Sequence, residues 1–243
     1  MKRIALAALV FCVATFHAAR AADYQQCIEL VQKSPSQAEK LARNWREHGG
    51  GVAAMHCHAL ALTALRRYAE AARELDGVAR DRDVVNPGDR ADLLDQAGNA
   101  WMLAAQPANA LGEFSAALNE SPRNMDARVD RARARAALGD WAGADSDLSA
   151  AILEDQNRAD LLVLRAHARW CLGHKEDAAT DIVRALTIYP NYPPALVERG
   201  EMKFDAGDAK GARDDWKKAA SSGDSSAAMA AKRDLDALDG PHR

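Results

Sequence analysis

The sequence predicts an all-α fold built from stacked antiparallel helix hairpins. The clearest indication is self-similarity at a period of 34 residues, which is the signature of a repeat architecture. Within each period, apolar residues and alanines recur at spacings of three and four, as they do on one face of an α-helix. Gly139, Gly173 and Gly207 stand one period apart and supply the positive φ at which helices commonly end.

The first segment, residues 1–21, has the pattern of a signal peptide. Lys2 and Arg3 give it a positive start, residues 4–16 are mostly apolar, and Ala19 and Ala21 form a small-x-small cleavage pattern. The apolar stretch is too short to cross a bilayer of about 30 Å as a helix. We therefore expect export, cleavage after Ala21, and no stable membrane insertion of the remaining chain.

Residues 22–51 are expected to form a degenerate leading helix pair. Two helical segments, 24–33 and 36–47, flank Pro35, and proline is typical of the first turn of a helix. The run Gly49-Gly50-Gly51 that follows carries no phosphate-binding signature, so it is interpreted as a flexible joint.

The repeats occupy most of the remaining chain. Four units follow one another without a gap at 91–124, 125–158, 159–192 and 193–226. The recurring columns are a small residue at Gly98, Ala132, Ala166 and Gly200, an alanine at Ala110, Ala144, Ala178 and Ala212, and a large apolar residue at Phe114, Leu148, Ile182 and Trp216. Helices approach closely where small residues meet, so these columns predict tightly packed hairpins. Residues 227–243 are expected to be a capping helix and tail that cover the last apolar face.

The 34-residue period, these columns and the prolines between units, such as Pro122 and Pro190, resemble the tetratricopeptide repeat (TPR) family. The resemblance covers 91–226, and residues 52–85 look like a further TPR-like unit separated from the rest by an insertion at 86–90. It implies a TPR α-solenoid, a right-handed superhelix in which the first helices of the hairpins line a concave groove for a peptide or protein.

The resemblance also places three stripes of residues on this groove: Asp92, Asp126 and Asp160; Asn99, Arg133, His167 and Glu201; Met102, Ala136, Trp170 and Phe204. Trp170 and Phe204 are the foremost candidates for partner contact, because aromatic anchors are typical of binding hot spots. The alternative is that both pack in the core. Aspartates stand where the family's carboxylate clamp needs lysine and asparagine, so a basic or amphipathic partner segment is favoured over a free acidic tail.

Corresponding helices of adjacent units lie side by side in such a stack, so a disulfide between Cys27 and Cys57 is expected in an exported protein. The competing interpretations are a redox pair and a metal site. The sequence has no Cys-x-x-Cys motif, which argues against the first. The metal site would use His48, His56, Cys57 and His58, but His56 and His58 are two residues apart and point in different directions on a helix. No metal site is therefore predicted.

Several other classes of function are not indicated. The sequence contains no phosphate-binding glycine loop, no Gly-x-Ser-x-Gly and no His-Glu-x-x-His motif, so neither an enzyme nor a cofactor is predicted. Asp145-Ser146-Asp147 lacks the spacing of a calcium loop and is expected on a solvated helix face. Cys171 is expected to be a small apolar filler. Without residues 1–21 the chain has 29 basic and 35 acidic residues, so nucleic acid is not expected as a partner.

The sequence thus predicts a non-catalytic scaffold or adaptor of the cell envelope that binds a peptide or protein segment. In a bacterium with two membranes its location would be the periplasm. The alternatives are an accessory or regulatory subunit of an exported enzyme and an oligomerisation module. The sequence specifies neither the partner's identity nor the oligomeric state.

Overall fold

The computed structural model describes residues 23–240, and every regular element in this range is an α-helix. The first helix, α1, is described over 23–33. The others are α2 (Pro35–Glu47), α3 (Gly51–Ala64), α4 (Tyr68–Ala79), α5 (Pro87–Leu103), α6 (Pro107–Glu120), α7 (Met125–Ala137), α8 (Trp141–Glu154), α9 (Ala159–Cys171), α10 (Lys175–Ile188), α11 (Pro193–Asp205), α12 (Ala209–Ala220) and α13 (Ser225–Asp239). Between residues 23 and 240, no helix is both long and apolar to the degree that crossing a membrane requires. The predicted signal peptide lies outside the described residues.

The chain forms two compact units, and the division falls inside α7, between Asp130 and Arg131. In the first unit, α2 packs on α3, α3 on α4, α4 on α5, and α5 on α6. In the second unit, α8 packs on α9, α9 on α10, and α11 on both α10 and α12. The first helices of successive hairpins, α9 and α11, also touch, and α13 packs on α11 and α12. The predicted all-α arrangement of stacked hairpins is confirmed within each unit.

Most hairpin turns use glycine in the left-handed region of φ. Gly139, Gly173 and Gly207 have φ of 78°, 81° and 85°, which confirms their predicted role. The corresponding turns that lack glycine adopt the same conformation, with φ of 60° at Arg66 and 56° at Ala105. A side chain with a Cβ atom is strained there, because the Cβ approaches the following carbonyl oxygen.

Replacing Ala105 with glycine is expected to raise the free energy of unfolding by about 0.5 to 1 kcal/mol. The left-handed conformation costs a non-glycine residue roughly 1–2 kcal/mol, and the greater entropy of glycine in the unfolded chain offsets part of the gain. Urea denaturation followed by circular dichroism measures the change. Gly173→Ala, at the same turn position with φ of 81°, is expected to lower stability by a similar amount. Shifts of both variants in the same direction would contradict the explanation.

The insertion at residues 86–90 lies at the start of a helix. Pro87 begins α5, and the Asn86 side chain caps the helix by accepting a hydrogen bond of 2.8 Å from the Gly88 amide. Proline at the first helical position and asparagine at the N-cap both favour this start. As a result α5 has 17 residues, whereas α9 has 13, so the extra residues lengthen the helix by about one turn.

The interpretation of Gly49-Gly50-Gly51 as a flexible joint is wrong. Gly50 is buried, and a Cβ atom on it would lie 2.6 Å from the Ala54 Cβ and 2.8 Å from the Trp45 ring. Only glycine fits this contact. Gly50 therefore makes the close contact that sets α3 against α2, while Gly49 and Gly51 are exposed with φ of 84° and 56°.

In the second unit, each hairpin is joined by a buried ion pair between its two helices. The pairs, which we call the Arg–Asp ladder, are Arg131–Asp147, Arg165–Asp181 and Arg199–Asp215. Each guanidinium donates two hydrogen bonds of 2.6 to 2.9 Å to its carboxylate. The carboxylates are only 2% to 4% exposed. The prediction of a solvated face is therefore wrong for Asp147, because Arg131 compensates its charge inside the hairpin.

A second cation reaches each of these carboxylates from one turn further along the first helix. Arg135, Arg169 and Lys203 lie 3.0, 2.9 and 2.7 Å from the same three aspartates. The hairpin of α5 and α6 lacks this arrangement, since Ala97 and Glu113 occupy the corresponding positions. One carboxylate oxygen of Glu113 is buried without a hydrogen-bond partner. Burial, followed by the charge of Asp76, raises the pKa of Glu113.

Candidate partner-binding faces

In the first unit, side-chain hydrogen bonds connect the first helices of consecutive hairpins. The Tyr24 hydroxyl of α1 lies 2.7 Å from Nδ1 of His56 on α3. The other ring nitrogen of His56 lies 3.0 Å from Oε1 of Gln96 on α5. These contacts place α1, α3 and α5 side by side on one face of the unit.

The same face carries a cluster of carboxylates where α5 meets the start of α7. Asn99 donates hydrogen bonds of 3.1 Å to Asp95 and 2.9 Å to Asp130. Burial, followed by the charges of Asp130, Asp126 and Asp92, raises the pKa of Asp95 to about 7. Of the predicted groove residues, Asp92 and Asp126 are exposed beside this cluster and Asn99 lies within it. The face is therefore acidic, and its charge varies near neutral pH.

In the second unit, the contact between α9 and α11 uses the predicted groove residue His167. Its Nδ1 lies 3.2 Å from Glu198, and this partner raises the pKa of the imidazole. The ring also meets Trp141 edge-on at 5.6 Å between centroids. These residues and the exposed Arg133 line a cleft of about 310 Å³.

Cys171 lies one helical turn after His167, with its sulfur 3.8 Å from Nε2 of the ring. The cysteine is exposed, so its predicted role as an apolar filler is wrong. Burial of part of the thiol, followed by the charges of Glu198 and Glu201, raises its pKa. A raised pKa disfavours the thiolate, which is the reactive form of cysteine.

Trp170 and Phe204, the two aromatic candidates, open into one cleft of about 290 Å³, which we call the C-terminal cleft. Phe204 is 47% exposed and lies 5.9 Å from the Trp216 ring. Trp170 is half-buried, and the Lys175 ammonium lies 4.7 Å from its ring centroid. Neither side chain is fully buried, so both offer aromatic surface at the face formed by α9, α11 and α13.

Glu201 lines the same cleft as these aromatic residues. Burial, followed by the charges of Glu198 and Asp234, raises the pKa of Glu201 to about 7. The nearest cation is the guanidinium of Arg233 on α13, at 3.5 Å. The C-terminal cleft thus combines aromatic surface with a carboxyl group that is partly ionised at neutral pH.

Three further predicted groove residues have different surroundings. Asp160 receives two hydrogen bonds, of 2.8 and 2.7 Å, from Arg158, which lowers its pKa and compensates its charge. Met102 is half-buried on α5, and Ala136 lines the same cleft as Arg133. Of the three predicted groove aspartates, Asp92 and Asp126 are therefore the ones whose negative charge is exposed to a binding partner.

Cys27 and Cys57 are both buried, and they bring α1 against α3. Their Cα atoms are 6.3 Å apart and their sulfur atoms lie within bonding distance, so the geometry suits the predicted disulfide. The histidines of the alternative metal site face other groups: Nδ1 of His58 lies 3.4 Å from Glu74, and Nδ1 of His48 lies 2.7 Å from the Asn44 carbonyl. Residues 23–240 contain no cluster of three or more side chains suited to binding a metal ion.

The structure also contains a cleft that the sequence does not predict. In the first unit, residues of α1, α3, α5 and the segment before α5 surround a cleft of about 510 Å³, which we call the N-terminal cleft. Its lining includes Tyr24, His56 and Gln96, the predicted groove residue Asp92, and the highly exposed Val85. The irregular spacing of these residues along the chain gave no periodic signal.

Comparison with solved structures shows which fold these helices form. The crystal structure of a tetratricopeptide repeat protein from Parabacteroides merdae is similar with a TM-score of 0.61 and 17% identity, over 89% of this chain and 84% of that chain. MamA from Desulfovibrio magneticus is similar with a TM-score of 0.57 and 20% identity, over 82% and 97%. No protein-family model and no curated protein matches the chain. The chain has the tetratricopeptide repeat fold.

Proposed function

We propose that this TPR-fold protein is a non-catalytic scaffold or adaptor of the cell envelope that binds a peptide or protein segment on the faces formed by its first helices. The observation that carries the proposal is the C-terminal cleft, where Trp170 and Phe204 present aromatic surface beside a partly ionised Glu201. Partly exposed aromatic side chains in a cleft are typical anchors of protein interfaces.

The charges of these faces support a basic or amphipathic partner segment. Asp92 and Asp126 are exposed in the first unit. In the protein without a bound partner, the carboxyl groups of Asp95 and Glu201 each have a pKa of about 7. A cation bound beside them favours their ionised form and so gains affinity as the pH rises toward 8. An acidic segment would meet repulsion at the same positions.

The envelope location is supported by the signal-like pattern of residues 1–21 and by the close approach of Cys27 and Cys57. A disulfide between them would persist in an exported protein and be rare in a reducing cytosol. On this proposal the protein acts after export, in the periplasm if the cell has two membranes.

Changing Trp170 and Phe204 together to alanine is expected to reduce partner capture about tenfold or more, because both truncations remove aromatic anchors from one cleft. Crosslinking in the exported fraction, recovery of the protein and quantitative mass spectrometry measure the yield of each partner. The matched control is Leu153→Ala with Tyr189→Ala, two large side chains that are 76% and 58% exposed outside this cleft. The control is expected to retain full capture.

Circular dichroism of the same proteins separates binding from folding. A large fall in helicity of the Trp170/Phe204 variant would support the core alternative and count against the proposal. Full capture by this variant would contradict it directly. Recovery of one exported enzyme whose activity depends on the protein would favour the accessory subunit, and self-association in sedimentation as the only interaction would favour the oligomerisation module.

A further inference from the structure

We infer that the N-terminal cleft binds a lysine or arginine side chain of the partner segment, and that a Cys27–Cys57 disulfide holds one wall of this site in place. The inference rests on the proposed function, because it names the chemistry of the partner and one point of its attachment. It concerns the first unit only.

The cleft combines an aromatic wall with an apolar rim. The Tyr24 and His56 rings stack with their centroids 6.0 Å apart and an angle of 19° between their planes. Val84 and Val85 precede α5 at the other side, and Val85 is 81% exposed. The long stem of a lysine or arginine packs well on such apolar surface while its charged end stays at a polar edge. The face of a tyrosine ring also attracts a cation.

The charge of the cleft is negative and uncompensated. Asp83, Asp89 and Asp92 line it, and within residues 23–240 no ion pair to any of them is found. Arg90, although adjacent to Asp89 in the sequence, donates instead to the Val84 carbonyl and lies 3.8 Å from Glu120. A cationic side chain would supply the missing charge through charge-assisted hydrogen bonds. An acidic side chain would be repelled by the same carboxylates.

The cysteine pair lies directly behind the aromatic wall. Cys27 follows Tyr24 by one turn of α1, and Cys57 follows His56 on α3. Both cysteines are buried in a small cluster with Ala38, and they connect the two helices that carry the stacked rings. Besides Cys27, α1 contributes Tyr24, Leu30 and Val31 to the packing around this cluster. A disulfide therefore holds the Tyr24 ring against His56 and so maintains the aromatic wall of the cleft.

The test measures the binding of two fluorescent nonapeptides to the full oxidised chain by fluorescence anisotropy. One peptide alternates lysine and leucine, and the other alternates glutamate and leucine. We expect the lysine peptide to bind at least about tenfold more tightly. Asp89→Asn with Asp92→Asn is expected to weaken its binding about tenfold. The matched control, Glu154→Gln with Asp214→Asn, removes two charges from exposed positions outside the cleft and is expected to leave the dissociation constant within about twofold.

The wall is tested separately. Mass spectrometry of the unreduced protein checks the pairing, and free thiols at Cys27 and Cys57 would overturn the second half of the inference. Cys27→Ala with Cys57→Ala is expected to weaken lysine-peptide binding about tenfold, and Tyr24→Ala is expected to do the same. Tyr24→Phe keeps the ring and is expected to retain most of the affinity. If the cysteine variant loses helicity, the two Tyr24 variants decide whether the wall contributes to binding.

The outcomes distinguish this inference from the proposed function. Equal binding of the lysine peptide to the Asp89/Asp92 variant and to its control would overturn the cleft as the site, while capture through Trp170 and Phe204 would leave the proposed function standing. Equal binding of both peptides would overturn the charge preference. Binding that appears only after removal of residues 1–21 would assign the cleft to the chain's own N-terminal segment and overturn the assignment to a partner.

Discussion

Replacing Asp215 with alanine is expected to lower the free energy of unfolding by about 3 kcal/mol, because the change leaves two cations without their shared partner. Asp215 is 2% exposed and accepts hydrogen bonds of 2.8 and 2.6 Å from Arg199 and 2.7 Å from Lys203. Both cations have side chains about one-third exposed, so hydration recovers part of the loss. Urea denaturation measures the change.

The matched control is Asp214→Ala, which makes the same chemical change one residue earlier on α12 at an exposed position. It is expected to change the free energy of unfolding by no more than about 0.5 kcal/mol. Equal effects of the two substitutions would show that the ladder does not stabilise the fold.

The pH dependence of the same comparison tests the charge of Asp215. Burial alone would raise the pKa of this carboxyl, but hydrogen bonds from Arg199 and Lys203 outweigh burial and hold the pKa below its ordinary value of 3.8. A depressed pKa in the folded state stabilises the protein above the unfolded pKa, and this contribution is lost as the pH falls through the folded pKa. The difference between the Asp215 and Asp214 variants is therefore expected to be constant from pH 7 to about 5 and to shrink below about pH 4.

The repeating features of the fold were predictable because each of them recurs at the period of the sequence. Gly173 and its equivalents predict the turns, and the alanine columns predict the packed faces of the helices. The Arg–Asp ladder also corresponds to arginine and aspartate columns 16 residues apart in the three hairpins of the second unit. A single aspartate on a helix, such as Asp147, is typical of a solvated face, whereas its burial depends on the partner across the hairpin.

The N-terminal cleft was not predictable in the same way. It joins Tyr24 of the degenerate leading pair, Val85 before α5, and Asp92 within the first regular unit. These residues belong to no common column, and their proximity depends on how α1 packs on α3 and on the extra turn of α5. By contrast, the periodic columns correctly identified Trp170, His167 and Glu201 as residues of first helices, although their exposure and charge required the structure.

A second repeating relation, between a small residue and the large residue 16 positions later, predicts a strong coupling in the last hairpin. The positions pair Gly98 with Phe114, and Gly200 with Trp216, while alanine at 132 and 166 stands opposite leucine or isoleucine. A Cβ atom at Gly200 would lie 2.6 Å from Cδ1 of Trp216. Glycine thus appears where the facing side chain is a bulky aromatic ring.

Gly200→Ala is expected to lower the free energy of unfolding by about 1–2 kcal/mol. The clash with the buried Trp216 costs roughly 1–3 kcal/mol, and the better helix propensity of alanine returns about 1 kcal/mol or less. In a Trp216→Leu background the ring is gone, so the same substitution is expected to stabilise the protein. Trp216→Leu alone is destabilising because it removes buried ring surface and the 3.3 Å hydrogen bond to the Val197 carbonyl.

The double-mutant cycle over Gly200 and Trp216 isolates this coupling from the separate costs of the two changes. Urea denaturation of the four proteins is expected to give an interaction energy of about 2 kcal/mol, with the effect of Gly200→Ala reversing its sign between the two backgrounds. Additive effects would mean that the helices relax apart and that the ring does not require glycine. Because Phe204 packs against Trp216 at 5.9 Å, a confirmed coupling would also mean that the size of residue 200 helps to fix the wall of the C-terminal cleft.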